Sequence, residues 1–362
     1  MSLVWSRTVA GSLIAAFAFS SVLTACSPAR SGQQPSGGQP APAGQAQQPS
    51  GQAQPPPAGQ PSSAAPKPAA NASAQVLKFN HVVAKDTPKH KTAEKFAELL
   101  KQKSNGKYEV QIYPNSELYK DGEEIEGLQQ GAIHFIAPGP DKLAVIAPVW
   151  DAPALPGIFE NDAAVQRFLD PNTPVAKEMF EALRAKNLLG MAIWFNGWKH
   201  FTNSKRPLKT ADDFKGLKFR TSGKPDEAFV KALGGSAQVM AFSEVFSALQ
   251  QGVVEGQYNT WSNVFTQKFH EVQKYATASR GGVMLSYPVA TNAKWFDGLS
   301  AEDKKAVTDA MIEATAWGNK LGAKENEDAY EGIKKSGRTE IYEQTEADAK
   351  AWNEKAQDVV KQ

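Results

Sequence analysis

The chain has 362 residues, with 40 Lys and Arg against 38 Asp and Glu, and its formal net charge is only +2. A chain this close to neutral lacks the basic surface that nucleic acids attract, so we expect no nucleic-acid partner. The single cysteine, Cys26, excludes a disulfide within one chain. The length allows two domains of ordinary size.

Residues 1–26 are typical of a secretory signal peptide. They carry one charge, Arg7, and then an apolar run from Leu13 to Val22 that is too short to span a bilayer comfortably. The run ends in Leu-Thr-Ala-Cys, which resembles the bacterial lipobox, and this resemblance implies that Cys26 is lipidated and becomes the new N-terminus. An uncleaved membrane anchor or a free thiol is the alternative.

Residues 27–75 are predicted to form a disordered tether. Gln, Pro, Ala, Gly and Ser dominate, only Arg30 and Lys67 are charged, and no aromatic residue occurs, so this stretch cannot bury enough surface to fold. As a flexible coil it spans roughly 40 Å root mean square. We therefore expect a lipid anchor alone to hold the folded part at the outer face of the cytoplasmic membrane or in a periplasm.

From residue 76 onward, predicted strands and helices alternate. The first group has strands at 76–83, 107–113 and 132–138, and helices from Pro88 and around 123–130. This βαβαβ order predicts a parallel sheet with helices on both faces. The second group has strands at 188–196, 216–221 and 253–259, and helices at 210–214, 225–233 and 243–251.

Two such groups in series imply two lobes. We assign 76–196 plus about 285–322 to the first lobe, and 197–284 plus about 323–362 to the second. A capping box at Ser300–Asp303 begins helical sequence that continues to about residue 335. A helix of that length is expected to lie across both lobes.

Four predicted strand ends carry polar or conformationally special groups: Arg220, Asn196, Asn259 and the Pro-Gly-Pro turn around Gly139. In open α/β sheets, ligands bind at the carboxyl ends of the strands, so a cleft between the lobes would gather these groups. Arg220 is charged at every accessible pH, which makes it a fixed cation for an anionic ligand. A solvated strand end is the alternative interpretation of this arginine.

Enzymatic motifs are weak in this sequence. The five histidines show no His-Glu-x-x-His spacing, and no Gly-x-Ser-x-Gly, Walker or Gly-x-Gly-x-x-Gly motif occurs. Scattered Asp and Glu leave an acid/base pair in space as an alternative. We expect no catalytic residues, no metal site and no cofactor, and the sequence leaves open whether a metal or sodium ion assists ligand binding.

Three stretches resemble, in the right order, the extracytoplasmic solute-binding proteins of TRAP transporters, the DctP family. They are KFNHVVAKDTPKHKTAEKFAELLKQKSNGKYEVQIYPNSEL, FNGWKHFTNSKRPLKTADDFKGLKFRTSGKP and MAFSEVFSALQQGVVEGQYNTWSNV. The resemblance implies an α/β, two-lobed periplasmic-binding-protein-like fold with a central ligand cleft. It also implies delivery of a small carboxylate to TRAP permease subunits, driven by an ion gradient. A binding protein of an ABC importer and a secreted enzyme are the alternatives.

The resemblance also implies binding residues. Arg220 falls on the family arginine that forms a paired salt bridge with the ligand carboxylate, and Asn259 falls on the asparagine of the family's Glu-Asn-Pro motif. Lys199 stands where many members have an arginine, so the second cation of the pocket is either kept as a point charge or lost.

Aromatic residues near these positions indicate an apolar or aromatic body on the ligand, or else ordinary core packing. They are Trp198, Tyr258 and Trp261. Asn196 and Gly139 complete the predicted ligand-binding set.

Overall fold

The computed structural model describes residues 73–159 and 161–361. The predicted signal peptide, Cys26 and nearly all of the tether lie outside the described residues. Within the described part, no helix combines the length and apolar character needed to cross a membrane.

The described residues form a mixed sheet surrounded by helices. The strands are β1 (Gln75–Asn80), β2 (Tyr108–Tyr113), β3 (Phe135–Ile136), β4 (Leu188–Asn203), β5 (Lys218–Thr221), β6 (Ser236–Val239), β7 (Gly256–Thr260), β8 (Tyr275–Ala278), β9 (Met284–Asn292) and β10 (Glu340–Glu343). The helices are α1 (Pro88–Lys103), α2 (Glu124–Gln129), α3 (Pro140–Leu143), α4 (Asp162–Leu169), α5 (Pro174–Arg184), α6 (Lys224–Ala232), α7 (Val245–Gln250), α8 (Trp261–Thr266), α9 (Ala293–Asp297), α10 (Ala301–Ser336) and α11 (Glu346–Lys361). Short 3₁₀ segments occur at Pro148–Ala154, Ala211–Phe214, Phe242–Glu244 and Phe269–Glu271.

The strand order is β2-β1-β3-β9-β4-β7-β5-β6, and β8 joins β4 to β10. β1 pairs in parallel with β2 and β3, as the βαβαβ order predicts. β9 is antiparallel to both β3 and β4, so the sheet is mixed rather than purely parallel. We call β1, β2, β3, β9 and the first part of β4 the first lobe, and β5 to β8, β10 and the last part of β4 the second lobe.

β4 connects the two lobes. It pairs with β9 as far as Trp198 and with β7 from Lys199 onward. The prediction that this strand ends at Asn196 was wrong, because the strand bends there instead of ending. The pairing register shifts between Phe195 and Gly197, and Gly197 takes a φ of 110°, which a side chain would strain.

α10 lies across both lobes, as predicted. Its N-terminus is capped by Ser300, whose Oγ accepts from the Asp303 N–H at 3.1 Å. It packs against α1 of the first lobe and α8 of the second. Close approach to β4 depends on Gly322, since a Cβ there would lie 2.6 Å from the Phe195 carbonyl oxygen.

Each lobe buries its own apolar side chains. Phe79, Phe96 and Trp194 belong to a core of the first lobe, and Phe201 and Phe219 belong to a core of the second. The α/β, two-lobed fold with its long shared helix is confirmed. Because the apolar side chains are used inside the lobes, the polar strand ends are left to line the space between them.

Candidate ligand-binding site

A cavity lies where strand ends of the two lobes meet, and we call it the cleft cavity. Its empty volume is about 420 Å³, including space that opens to solvent. Its charged and amide-bearing lining residues are Lys89, Asp121, Asp141, Lys142, Lys199, Arg220, Asn259 and Asn263.

Arg220 lies on β5 and is only 2% exposed, so it is not a solvated strand end. Its Nε and Nη2 donate to the Met240 carbonyl at 3.3 and 3.0 Å, and Nη2 lies 3.8 Å from a carboxylate oxygen of Asp121. Burial lowers the pKa of Arg220, and nearby carboxylates, Asp121 first, oppose that effect. A buried guanidinium with donors to spare suits an organic anion.

Lys199 also lines the cleft cavity, but its charge is already paired. Its Nζ donates to both carboxylate oxygens of Asp226, at 2.9 and 2.7 Å, and both side chains are buried. The Ser222 hydroxyl donates to the same carboxylate at 2.8 Å. The lysine is therefore kept in the cavity wall as one half of a buried ion pair.

Asn259 and Tyr258 follow each other on β7. The Asn259 side-chain oxygen accepts from the Thr260 N–H and from the Asn263 amide, both at 2.9 Å, which orients its own amide group. Tyr258 stacks on Phe201 with ring centroids 4.0 Å apart. Tyr258 is thus a core residue that also forms part of the cavity wall.

Gly139 borders the cleft cavity at the start of α3. A Cβ at this position would lie 2.5 Å from a carboxylate oxygen of Asp141, so a larger residue would displace that aspartate.

Five of the eight residues predicted from the sequence to bind the ligand line this one cavity: Gly139, Lys199, Arg220, Tyr258 and Asn259. Their ligand-binding roles stay predictions.

The other three residues are not among those that line the cleft cavity. Trp198 and Trp261 border a separate crevice beside α10, and Trp261 stacks on His200 with ring centroids 4.3 Å apart. The Asn196 amide donates to the Thr260 hydroxyl at 2.9 Å. Because successive side chains of a strand point to opposite faces, Trp198 and Lys199 lie on opposite faces of β4. The two tryptophans thus give no support for an aromatic ligand body in the cleft cavity.

Several charged residues of the site were not predicted from the sequence. Lys142 Nζ lies 3.2 Å from Asp141 and 3.7 Å from Asp121, and it donates to the Ser222 carbonyl across the cleft. Asp141 and Lys142 directly follow Gly139-Pro140, so their position after a strand end was a usable signal. Asp121 lies in a loop and has no such signal.

Lys89 was not predicted as a site residue either. It directly follows Thr87-Pro88, and that pattern indicates only that a helix begins there. Burial lowers its pKa to about 7, against the opposing effect of Asp121, Glu124 and Asp141. Burial, helped by Asp121, raises the pKa of Glu124 to about 8. The first-lobe wall of the cavity thus holds an ammonium group that is easily deprotonated. Glu124, which does not line the cavity but acts on this ammonium group, is largely neutral at pH 7.

In the described ranges, no group of three or more His, Cys, Asp or Glu side chains could hold a metal ion. Whether an ion assists binding stays an open prediction.

Two α/β lobes joined by β4 and α10, with a buried arginine facing the cavity between them, define a two-lobed solute-binding protein. The particular family follows from sequence. Residues 79–362 match the family described as "Bacterial extracellular solute-binding protein, family 7", DctP, and the chain belongs to this family.

Relatives and solved structures agree with this membership. The chain is 45% identical over 284 residues to the C4-dicarboxylate-binding periplasmic protein DctP of Rhodobacter capsulatus, covering 77% of this chain and 83% of that protein. It is 38% identical over 289 residues to the C4-dicarboxylate-binding protein DctB of Bacillus subtilis, covering 79% and 81%. A TRAP periplasmic solute-binding protein from Shewanella oneidensis, solved with bound succinate, superimposes with a TM-score of 0.76 at 34% identity, covering 80% of this chain and 93% of that one. The prediction of a TRAP solute-binding protein is confirmed over the ABC-importer alternative.

Proposed function

We propose that this protein is an extracytoplasmic receptor that binds a C4-dicarboxylate between its lobes and delivers it to the membrane subunits of a TRAP transporter. The relatives from Rhodobacter capsulatus and Bacillus subtilis are named for C4-dicarboxylates, and the Shewanella oneidensis structure holds succinate. We further propose that the receptor is lipid-anchored through Cys26, because the sequence before this cysteine resembles a lipobox.

The observation that carries the proposal is the buried guanidinium of Arg220 at the cleft cavity. Its contacts with the Met240 carbonyl fix the orientation of the group, and Asp121, at 3.8 Å, is too far away to accept a hydrogen bond from it. A carboxylate that accepts two parallel N–H bonds from it gains charge-assisted hydrogen bonds worth about 1.5–3 kcal/mol each. One carboxylate of the ligand is therefore held by this arginine.

Binding between the lobes also explains how the membrane subunits would distinguish the ligand-bound receptor from the ligand-free receptor. A ligand stabilises the closed arrangement only through contacts that the open arrangement lacks. Arg220 belongs to the second lobe, whereas Asp121, Asp141 and Lys142 belong to the first, so a ligand in the cleft cavity contacts both. The membrane subunits would then recognise the closed form. The receptor itself releases the acid unchanged and catalyses nothing.

Calorimetric titration with succinate tests this function. Arg220→Ala should lose measurable affinity while keeping its melting temperature within a few degrees. Arg220→Lys should also bind at least about tenfold more weakly, because an ammonium group cannot form the paired contact. Arg338→Ala removes an exposed arginine that lies 3.6 Å from Glu271, and it should bind like the unmodified protein.

Equal affinity of Arg220→Ala and the unmodified protein would reject the assigned site. Mass spectrometry of the ligand recovered after titration should return succinate unchanged, and a converted product would favour the enzyme alternative.

A further inference from the structure

The cleft cavity is lined by four basic side chains, and two of them already have carboxylate partners. Lys199 is held by Asp226, with both distances below 3.0 Å. Lys142 lies against two aspartates and also donates to a carbonyl of the opposite lobe. Arg220 Nη2 lies 3.8 Å from Asp121, beyond hydrogen-bonding distance, so Arg220 and Lys89 are the two that keep donors for an anionic ligand.

Lys89 is buried, with 2% of its surface exposed. Its Nζ donates to the Ala137 carbonyl at 2.9 Å and lies 3.5 Å from the centroid of the Tyr287 ring. An ammonium group has three N–H donors, so these two contacts leave one donor over. Within residues 73–159 and 161–361, no carboxylate oxygen lies within 4.0 Å of this nitrogen.

The position of Lys89 is unfavourable in the empty cleft. It is the second residue of α1, where the positive end of the helix dipole repels a cation, and the first turn of this helix has no acidic residue. Burial of an unpaired charge adds a further cost. A ligand anion beside Lys89 would pair with its buried charge and offset the repulsion between the lysine and the α1 dipole. The positive end of that dipole would also attract the anion itself.

We infer that Lys89 binds the second carboxylate of a diacid whose first carboxylate is held by Arg220. The inference rests on the proposed function and adds the residue that makes the cleft select diacids over monoacids. Lys89 belongs to the first lobe and Arg220 to the second, so a diacid links a cation of each lobe. A monoacid would contact the cation of one lobe only, and it would stabilise the closed form less.

The same contact predicts proton uptake on binding. The ionisable groups that act on Lys89 are Asp121, Glu124 and Asp141, and His81 lies close enough to be affected by it. The Tyr287 ring also faces Lys89, and burial raises the pKa of this tyrosine, so it stays neutral at pH 8. With a pKa of about 7, much of Lys89 is neutral at pH 8 in the empty cleft. A succinate dianion beside it favours the ammonium form, so the complex should take a proton from the buffer. Glu124, with a pKa of about 8, would add to this uptake, and Lys89→Met should lose the part that belongs to Lys89.

The first experiment compares succinate with succinamate, which has nearly the same shape but replaces one carboxylate by an amide. Lys89→Met keeps the length of the side chain and removes its charge. We expect it to weaken succinate binding by roughly 10- to 100-fold, a range that corresponds to ~1.4–2.8 kcal/mol. Succinamate binding should weaken by less than about threefold. Lys95→Met, on the outer surface of the same helix, is the matched control and should leave both affinities unchanged.

Equal losses for the two ligands in Lys89→Met would overturn the inference, and so would an unmodified protein that binds succinamate as tightly as succinate. The second experiment compares the unmodified protein with Lys89→Met. Succinate binding at pH 8 is measured in phosphate and in Tris, whose ionisation enthalpies differ, and the difference gives the protons taken up. We expect uptake with succinate and clearly less with succinamate, and no difference between the ligands would contradict the role of Lys89.

The proposed function and the role of Lys89 have different outcomes that would contradict them. If Arg220→Ala still binds succinate, or if the unmodified protein binds neither ligand, the proposed function is wrong. If Arg220→Ala abolishes binding but Lys89→Met does not distinguish the ligands, only the role of Lys89 is wrong.

Discussion

Removal of one partner of the buried pair between Lys199 and Asp226 should destabilise the fold. The lysine Nζ contacts both carboxylate oxygens within 2.9 Å, and the two side chains are 4% and 2% exposed. Lys199→Met leaves Asp226 buried with the Ser222 hydroxyl as its only donor among the described residues. A buried carboxylate without a countercharge is strongly unfavourable.

The size of this effect follows from the burial of the pair. Breaking a buried ion pair by removing one partner costs about 3–5 kcal/mol. In a protein of this size each kcal/mol lowers the melting temperature by roughly 2 °C, so we expect a fall of roughly 6–10 °C. Lys199→Met/Asp226→Asn removes both charges and should recover roughly 1–3 kcal/mol of the loss.

Urea unfolding of the ligand-free proteins measures these differences, with the two single variants and the double variant completing a mutant cycle. Succinate titration of the same proteins shows whether binding changes in parallel. A Lys199→Met protein that is as stable as the unmodified protein but has lost its affinity for succinate would contradict this prediction. Lys199 would then be a ligand-binding cation, and the pairing with Asp226 would not hold in solution.

Two further predictions concern acid stability and membrane attachment. The side chain of His200 is buried, its Nδ1 accepts from the Ser279 N–H at 3.0 Å, and burial lowers its pKa to about 3. Since an unfolded histidine gains a proton near pH 6.5, this residue should cost roughly 1.4 kcal/mol of stability per pH unit below that value, down to the folded pKa. Urea unfolding between pH 7 and pH 5 should show a smaller decline in His200→Gln, and equal declines would refute the assignment. Cys26→Ser should move the receptor from the membrane fraction to the soluble fraction, and unchanged membrane retention would refute lipid anchoring.

Much of the fold could be predicted because its signals are local. Thr87 and Ser300 each cap the helix that their sequence context predicts. The chain order of strands and helices predicted two α/β lobes, and Arg220 was placed at a strand end by the alternation of its neighbours. Such features depend on residues within a few positions of one another, which a single sequence displays directly.

Other features depend on which distant segments meet. β4 continues past Asn196 because β7 and β8 extend the sheet beside it, and neither strand is near it in the sequence. Trp198 stood out because of its neighbours in the chain, yet strand alternation turns it toward a different crevice. The tertiary structure decided both outcomes.

Local sequence patterns were enough to predict two α/β lobes, a long shared helix and an arginine suited to a carboxylate. Which cations of the cleft are left to bind one depends on how the chain folds. Asp226 neutralises Lys199 from 27 positions away, whereas Lys89 reaches the cavity with no carboxylate against it among the described residues. The two lysines differ because charge pairing depends on distance in space, and chain folding sets that distance independently of separation along the sequence.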